Sequence, residues 1–253
     1  MMLDSWLALP AGILIASVVS TVGIGGGILW MPFLIIIFKL KPDTAVVTSL
    51  LIQCAGMGSG TVAFWRQRRI DIRLMQFLLA VTIPGIVVGV LAARMLSPVY
   101  LELILGVLTL STAMIFVSAH QRYADVGQKR SDIRSARRYG WIFSTMAIAS
   151  GMLSISIGEW LVPVMRSRLS LKMGVAIATS VATIFGVCVL AAIFHLCMGG
   201  RADTATLVWA VPGVIIGGQI GPRITGIIND RVLKEIFVFL LTLIGIHLIY
   251  NSY

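Results

Sequence analysis

From Trp6 to Phe38 the chain passes through thirty-three residues without a charged side chain. As one straight helix that stretch would be about 50 Å long, too long for an ordinary bilayer crossing and short for two. Within it stands Gly23-Ile24-Gly25-Gly26-Gly27. Glycine is costly inside a helix, so four in five positions predict a break. Backbone groups freed within lipid persist only where protein buries them or where they line a cavity. Helices broken near mid-membrane build the substrate and ion sites of secondary transporters. The run therefore marks a change of chain direction and a candidate binding site together.

The remaining sequence fits a membrane setting. Of 253 residues, 58% are hydrophobic and 12% charged, and the mean hydropathy is +0.98. A soluble domain of this size could not hide so much apolar side chain with so few charges. The expected class is an all-α polytopic membrane protein. Met1-Met2-Leu3-Asp4 carries no basic n-region, so the first apolar segment is expected to stay in the mature protein. The formal charge of +10 would suggest nucleic acid in a soluble chain. Here Lys and Arg stand at the ends of apolar segments, which suits loops beside anionic lipid and gives no reason for a nucleic-acid partner. Cys54, Cys188 and Cys197 lie in apolar segments without CxxC spacing and read as packing residues, implying no metal site, cofactor or disulfide.

The chain repeats itself weakly. At a spacing of 131, Gly27 falls on Gly158, Pro32 on Pro163, and Thr48-Ser49 on Thr179-Ser180. Pro84-Gly85 with Gly89 matches Pro212-Gly213 with Gly217, and Leu108-Thr109-Leu110 matches Leu241-Thr242-Leu243. Three blocks in one order argue for two repeats, 1–119 and 141–253, joined by a polar, basic linker at 120–140. Each repeat then has a broken first segment, at about 6–38 and 141–165, and three further spans. These are expected near 44–65, 74–96 and 99–119, and near 173–198, 204–222 and 231–251. If the broken segments are hairpins and the N-terminus lies outside, sixteen Lys and Arg residues fall inside and four outside. If the broken segments cross fully, the better orientation gives eleven against nine. The positive-inside rule selects the hairpins. A hairpin plus three crossings is an odd number of passes, so the two repeats are expected to be inverted and suited to alternating access.

Gly23–Gly27 followed by Pro32, then Thr48-Ser49, then Pro84-Gly85 with Gly89, all within two similar halves, resembles the sulfite exporter TauE/SafE family. The resemblance covers nearly the whole chain. It implies a multi-pass permease of the plasma membrane, typically the bacterial inner membrane, moving sulfite, a sulfonate or a related organic anion. The second half departs from the glycine-rich run that the family usually carries there and reads Ser154-Ile-Ser-Ile-Gly-Glu-Trp160.

Candidate site residues follow from the breaks. A half-helix starting near Gly25 would turn free N–H groups and a positive dipole end toward an anion, and Gly23, Gly25, Gly26 and Gly27 would let it approach the backbone. The same glycines could instead serve close helix packing. Ser154 and Ser156, with Gly158, occupy the matching break, where hydroxyls could donate to an anion or cap the following half-helix. Thr48, Ser49, Thr179 and Ser180 could line the site or bond back to their own helices. Gln53 lies one turn beyond Ser49. Pro84-Gly85 and Pro212-Gly213 read as kinks.

Glu159 is the one carboxylate deep in an apolar run, and a charge at such depth is expensive. It is the candidate carrier of a coupling proton or sodium ion, or else a complement to a helix dipole. The chain has no Gly-x-x-x-x-Gly-Lys-Ser/Thr motif for ATP and no nucleophile–base pair or His/Asp/Glu cluster for catalysis. The expected function is secondary active transport, with export favoured, of a small anion across the bilayer under a proton or cation gradient. The rival is a membrane receptor or assembly partner of the same fold that does not transport.

Overall fold

Gly23 ends the first helix, α1 (Ala8–Val22), in the left-handed conformation, φ +79°, with its N–H bonded to the Val19 carbonyl. Glycine adopts that conformation without steric cost. α2 (Gly27–Ile36) starts four residues later. The computed structural model describes residues 5–118, 127–224 and 230–251. The first part of the linker expected at 120–140 and the last residue of the span expected at 99–119 lie outside them.

The second broken segment turns the same way on a different residue. Ser154, at φ +58°, closes α7 (Gly140–Leu153), and α8 (Gly158–Ser167) follows. A non-glycine residue held there costs about 1–3 kcal/mol, which surrounding contacts must offset.

Between and after the two broken segments lie α3 (Pro42–Arg66), α4 (Ile72–Met95) and α5 (Pro98–Ser118), then the short α6 (Ile133–Arg137). After α8 come α9 (Met173–Cys197), α10 (Thr204–Ile224) and α11 (Asp230–Asn251). Their starts are written locally. Pro42 and Pro98 take first-turn positions, where no N–H is missed. Asp71 accepts the Leu74 N–H ahead of α4, and Asp203 accepts the Thr206 N–H in α10. Five helical stretches are long and apolar enough to cross a membrane: Ser5–Val22, Pro42–Arg66, Ile72–Met95, Met173–Cys197 and Thr204–Ile224. Leu14, Met114, Trp141 and Phe239 stand exposed on the outside, where lipid replaces water as the partner of apolar surface. The protein is all-α and polytopic, as the hydropathy required.

Backbone detail recurs along the chain. α2 and α8 both have ten residues and start at 27 and 158, while α3 and α9 both have twenty-five and start at 42 and 173. Left-handed residues recur at the same spacing, Gly23 with Ser154, Lys39 with Ser170, and Arg68 with Gly199.

Packing within lipid rests on shape, because burial of apolar surface gains little there. α1 lies along α10, and α7 along α4. Gly213, Gly217 and Gly221, one turn apart, bring α10 onto the α1 backbone. A methyl group on Gly213 would overlap the Leu9 carbonyl oxygen, and one on Gly217 would press the Ile13 carbonyl. Gly85 and Gly89 of α4 meet the carbonyls of Ser144 and Ile148 in α7 likewise. The glycines read as parts of Pro-Gly kinks are thus contact residues. Trp30, Phe64 and Phe143 fill the interior.

Candidate functional site

The two breaks pack directly on one another. A methyl group on Gly25 would overlap the side chain of Ser156, and one on Gly27 would overlap the Ser154 carbonyl oxygen. In the other direction, a methyl group on Gly158 would crowd the Gly23 carbonyl oxygen and the Ile24 Cα. The start of each half-helix therefore lies against the turn that ends the opposite helix. Gly23, Gly25, Gly26, Gly27, Ser154, Ser156 and Gly158 are all buried.

The long helices α3 and α9 supply donors to the carbonyl side of each turn. Ser180 of α9 donates its hydroxyl to the Gly23 carbonyl at 2.7 Å. Gln53 of α3 donates from Nε2 to the Ser154 carbonyl at 3.0 Å and to the Ser154 hydroxyl at 2.7 Å. Ser154 Oγ also donates to Ser49 Oγ at 3.0 Å. Ser49 and Gln53 stand four residues apart, one above the other on one helix face. These bonds steady the left-handed turn at Ser154.

The N–H sides of the two breaks differ. The N–H groups of Leu29 and Trp30 close onto the Gly26 carbonyl, leaving those of Gly27 and Ile28 ahead of the helical ladder. At α8 the Gly158 N–H bonds to Ser156 Oγ at 3.0 Å. Glu159 then puts a carboxyl group in the first turn, where Ile28 stands in α2.

Glu159 is fully buried, and neither carboxyl oxygen makes a hydrogen bond among the described residues. Gln53 Oε1 is buried and unpartnered as well. Buried polar atoms without partners are rare and mark places where something else binds or a proton is held. Among the described residues no group of three or more His, Cys, Asp or Glu could hold a metal ion.

Thr48 and Thr179, expected beside Ser49 and Ser180, are not brought to the breaks. Adjacent helical residues point about 100° apart, so the threonine of each Thr-Ser pair turns to a different neighbour from its serine. Thr48 Oγ1 accepts the Asp203 N–H at 2.9 Å, and Thr179 Oγ1 accepts the Asp71 N–H at 3.0 Å. Each threonine thus ties down the start of a neighbouring helix. Thr48→Val and Thr179→Val are each expected to cost about 0.5–1.5 kcal/mol in thermal unfolding while leaving ligand binding unchanged.

Three residues passed over in the sequence matter here. Asp71 and Asp203 complete the threonine ties, and their place just ahead of apolar helices was a readable capping signal. Ser20, in the last turn of α1, has a buried hydroxyl with no partner among the described residues. Its position just before the glycine run could have marked it.

A polytopic helical protein whose interior polar groups gather at two facing helix breaks is built as secondary transporters are. The chain belongs to the sulfite exporter TauE/SafE family, which it matches over residues 8–248. It is similar to the "Probable membrane transporter protein YunE" of Bacillus subtilis, with 25% identity over 95% of this chain and 96% of that protein. A second Bacillus subtilis protein named as a probable membrane transporter, YjnA, is 24% identical over 94% of this chain and 97% of its own length. YfcA of Escherichia coli, similarly named, is 23% identical over 95% and 88%. No solved structure matches. The family read from the glycine run and its companions is therefore the right one, and the protein is a multi-pass membrane protein of a transporter family.

Proposed function

We propose that the protein is a secondary active transporter, working as an exporter, that carries a small sulfur-containing or organic anion such as sulfite or a sulfonate. Transport proceeds by alternating access between two inverted repeats. The observation that carries this reading is the contrast between the breaks. The carbonyl ends of α1 and α7 are met by Ser180 and Gln53, while the N–H end of α2 is left for an anion. Ser49, Gln53, Ser154 and Ser156 supply the surrounding polar groups. Glu159, unpartnered at the opposite break, carries the coupling proton or cation. An ionised carboxyl group there would repel an anion in the same dry interior, so a bound anion and a bound proton or cation favour each other.

The recurrence of helix boundaries and left-handed residues at a spacing of 131 supports the repeat reading. The charge partition supports their inversion. Lys129→Cys in a cysteine-free background is expected to react with an impermeant thiol reagent from the cytoplasmic side only. The exposed native Cys197, at the far end of α9, is expected to react from the other side only. Labelling of both from one side would end the inverted arrangement.

The test of transport is uptake of labelled sulfite, sulfoacetate and simple carboxylates into proteoliposomes under imposed proton or sodium gradients. The expected result is gradient-driven accumulation of at least one of them. The receptor or assembly reading is favoured by the tight fit of Ser156 on Gly25 and of Ser154 on Gly27. Absence of any movement under either gradient would decide for it.

A further inference from the structure

Away from the breaks, the turn between α3 and α4, the segment ahead of α6 and the first turn of α9 enclose a cavity of about 380 Å³. Five of the side chains lining it are cationic, Arg68, Arg69, Lys129, Arg130 and Lys172, and none is a carboxylate. Positive charge at a cytoplasmic helix end has ordinary causes, since Arg68 and Arg69 follow the C-terminus of α3 and suit its dipole. Those causes do not bring Lys129 and Arg130 in from another segment. The backbone does that.

Gln128 forms an isolated parallel bridge with Leu171, donating to the Ser170 carbonyl at 2.8 Å and accepting the Lys172 N–H at 2.9 Å. Three residues on, the Ser131 N–H donates to Asp71 Oδ2 at 2.8 Å, while Asp71 Oδ1 takes the Leu74 N–H. Lys129 and Arg130 are thus held between two anchors, opposite Arg68 and Arg69. Of the two nearby acids, Asp71 is buried with both oxygens engaged by backbone donors, and Asp132 caps α6 by accepting the Arg134 N–H. Like charges gathered this way repel, and a fixed backbone that gathers them has use for a multiply charged anion. Guanidinium forks bind phosphate oxygens bidentately, and the volume suits a small ligand.

We propose that this cavity is a binding site for a phosphate-bearing polyanion, separate from the site at the helix breaks. Two sources offer that chemistry, a soluble di- or polyphosphate and the two-phosphate headgroup of cardiolipin. The full-length protein purified in uncharged detergent is titrated with inorganic pyrophosphate by calorimetry, and cardiolipin binding is measured by native mass spectrometry. Arg68→Gln/Arg69→Gln and Lys129→Gln/Arg130→Gln are each expected to weaken binding by about tenfold or more. Arg137→Gln/Arg138→Gln, an equal loss of charge at residues that do not line the cavity, is expected to change it less than about twofold. Pocket-dependent binding of pyrophosphate assigns a soluble ligand, and pocket-dependent binding of cardiolipin alone assigns a lipid. All four substituted residues are exposed, and the single variants Lys129→Gln and Arg69→Gln repeat the test if a double variant fails to fold. Binding of neither probe, or equal weakening by the control pair, would overturn the proposal.

Discussion

Glu159→Gln is expected to bind and exchange the anion but not to accumulate it against a gradient. The amide keeps the shape of the protonated acid and cannot release a proton, so the variant is fixed in one state of the coupling cycle. Glu159 makes no hydrogen bond among the described residues, so the substitution breaks no such bond. The same position in α2 is Ile28, so an ionisable group is not needed to start a half-helix in this fold. If the carboxyl group only complements the α8 dipole, the variant loses about 0.3–1 kcal/mol of stability and transports normally. Counterflow and gradient-driven uptake, measured on one proteoliposome preparation, separate the two roles. Counterflow is expected to survive while driven uptake falls to the passive level. Driven uptake at the wild-type rate would remove Glu159 from coupling.

The fold was legible because the bilayer permits so few solutions. Apolar lengths and glycine placement set the helices, and the two breaks lie where Gly23–Gly27 and Ser154–Gly158 put them. The pairing of α1 with α10 and of α4 with α7 was not legible. Gly213, Gly217 and Gly221 announce a surface of close approach but not the partner that uses it. At the site, Ser49 and Gln53 could be placed together because four residues make one helical turn. Thr48 and Thr179 were grouped with their serine neighbours, and of the two readings open to them the structure shows the local one for Thr48, which bonds back to the Thr44 carbonyl. What no periodicity could disclose is that the breaks interlock, since Gly25 meets Ser156 and Gly27 meets Ser154 only through the packing of distant segments.

That interlock gives the second large effect. Gly27→Ala is expected to be the most damaging substitution in either break. Its methyl group would meet the Ser154 carbonyl oxygen, a backbone atom held by Gln53 that cannot turn aside. Overpacking of this kind costs about 1–3 kcal/mol or more. Gly26→Ala should cost less than Gly27→Ala, because its methyl group would press a side chain, the Trp30 ring at 3.0 Å, which must yield by a few tenths of an ångström. Gly25→Ala lies between them, since it collides with Ser156, a side chain engaged with the Gly158 N–H. Here a reciprocal change separates packing from binding. Gly25→Ala/Ser156→Gly moves the side chain from the second break to the equivalent place in the first and removes the collision. The melting temperature in detergent should recover most of what Gly25→Ala loses, with a coupling of about 1 kcal/mol or more between the two sites. Transport should stay low. The anion would then face a methyl group at the N–H end of α2, and the α8 start would have lost its hydroxyl. Recovery of both stability and uptake would mean that Gly25 and Ser156 serve packing alone, and the anion site would have to be sought elsewhere along α3 and α9.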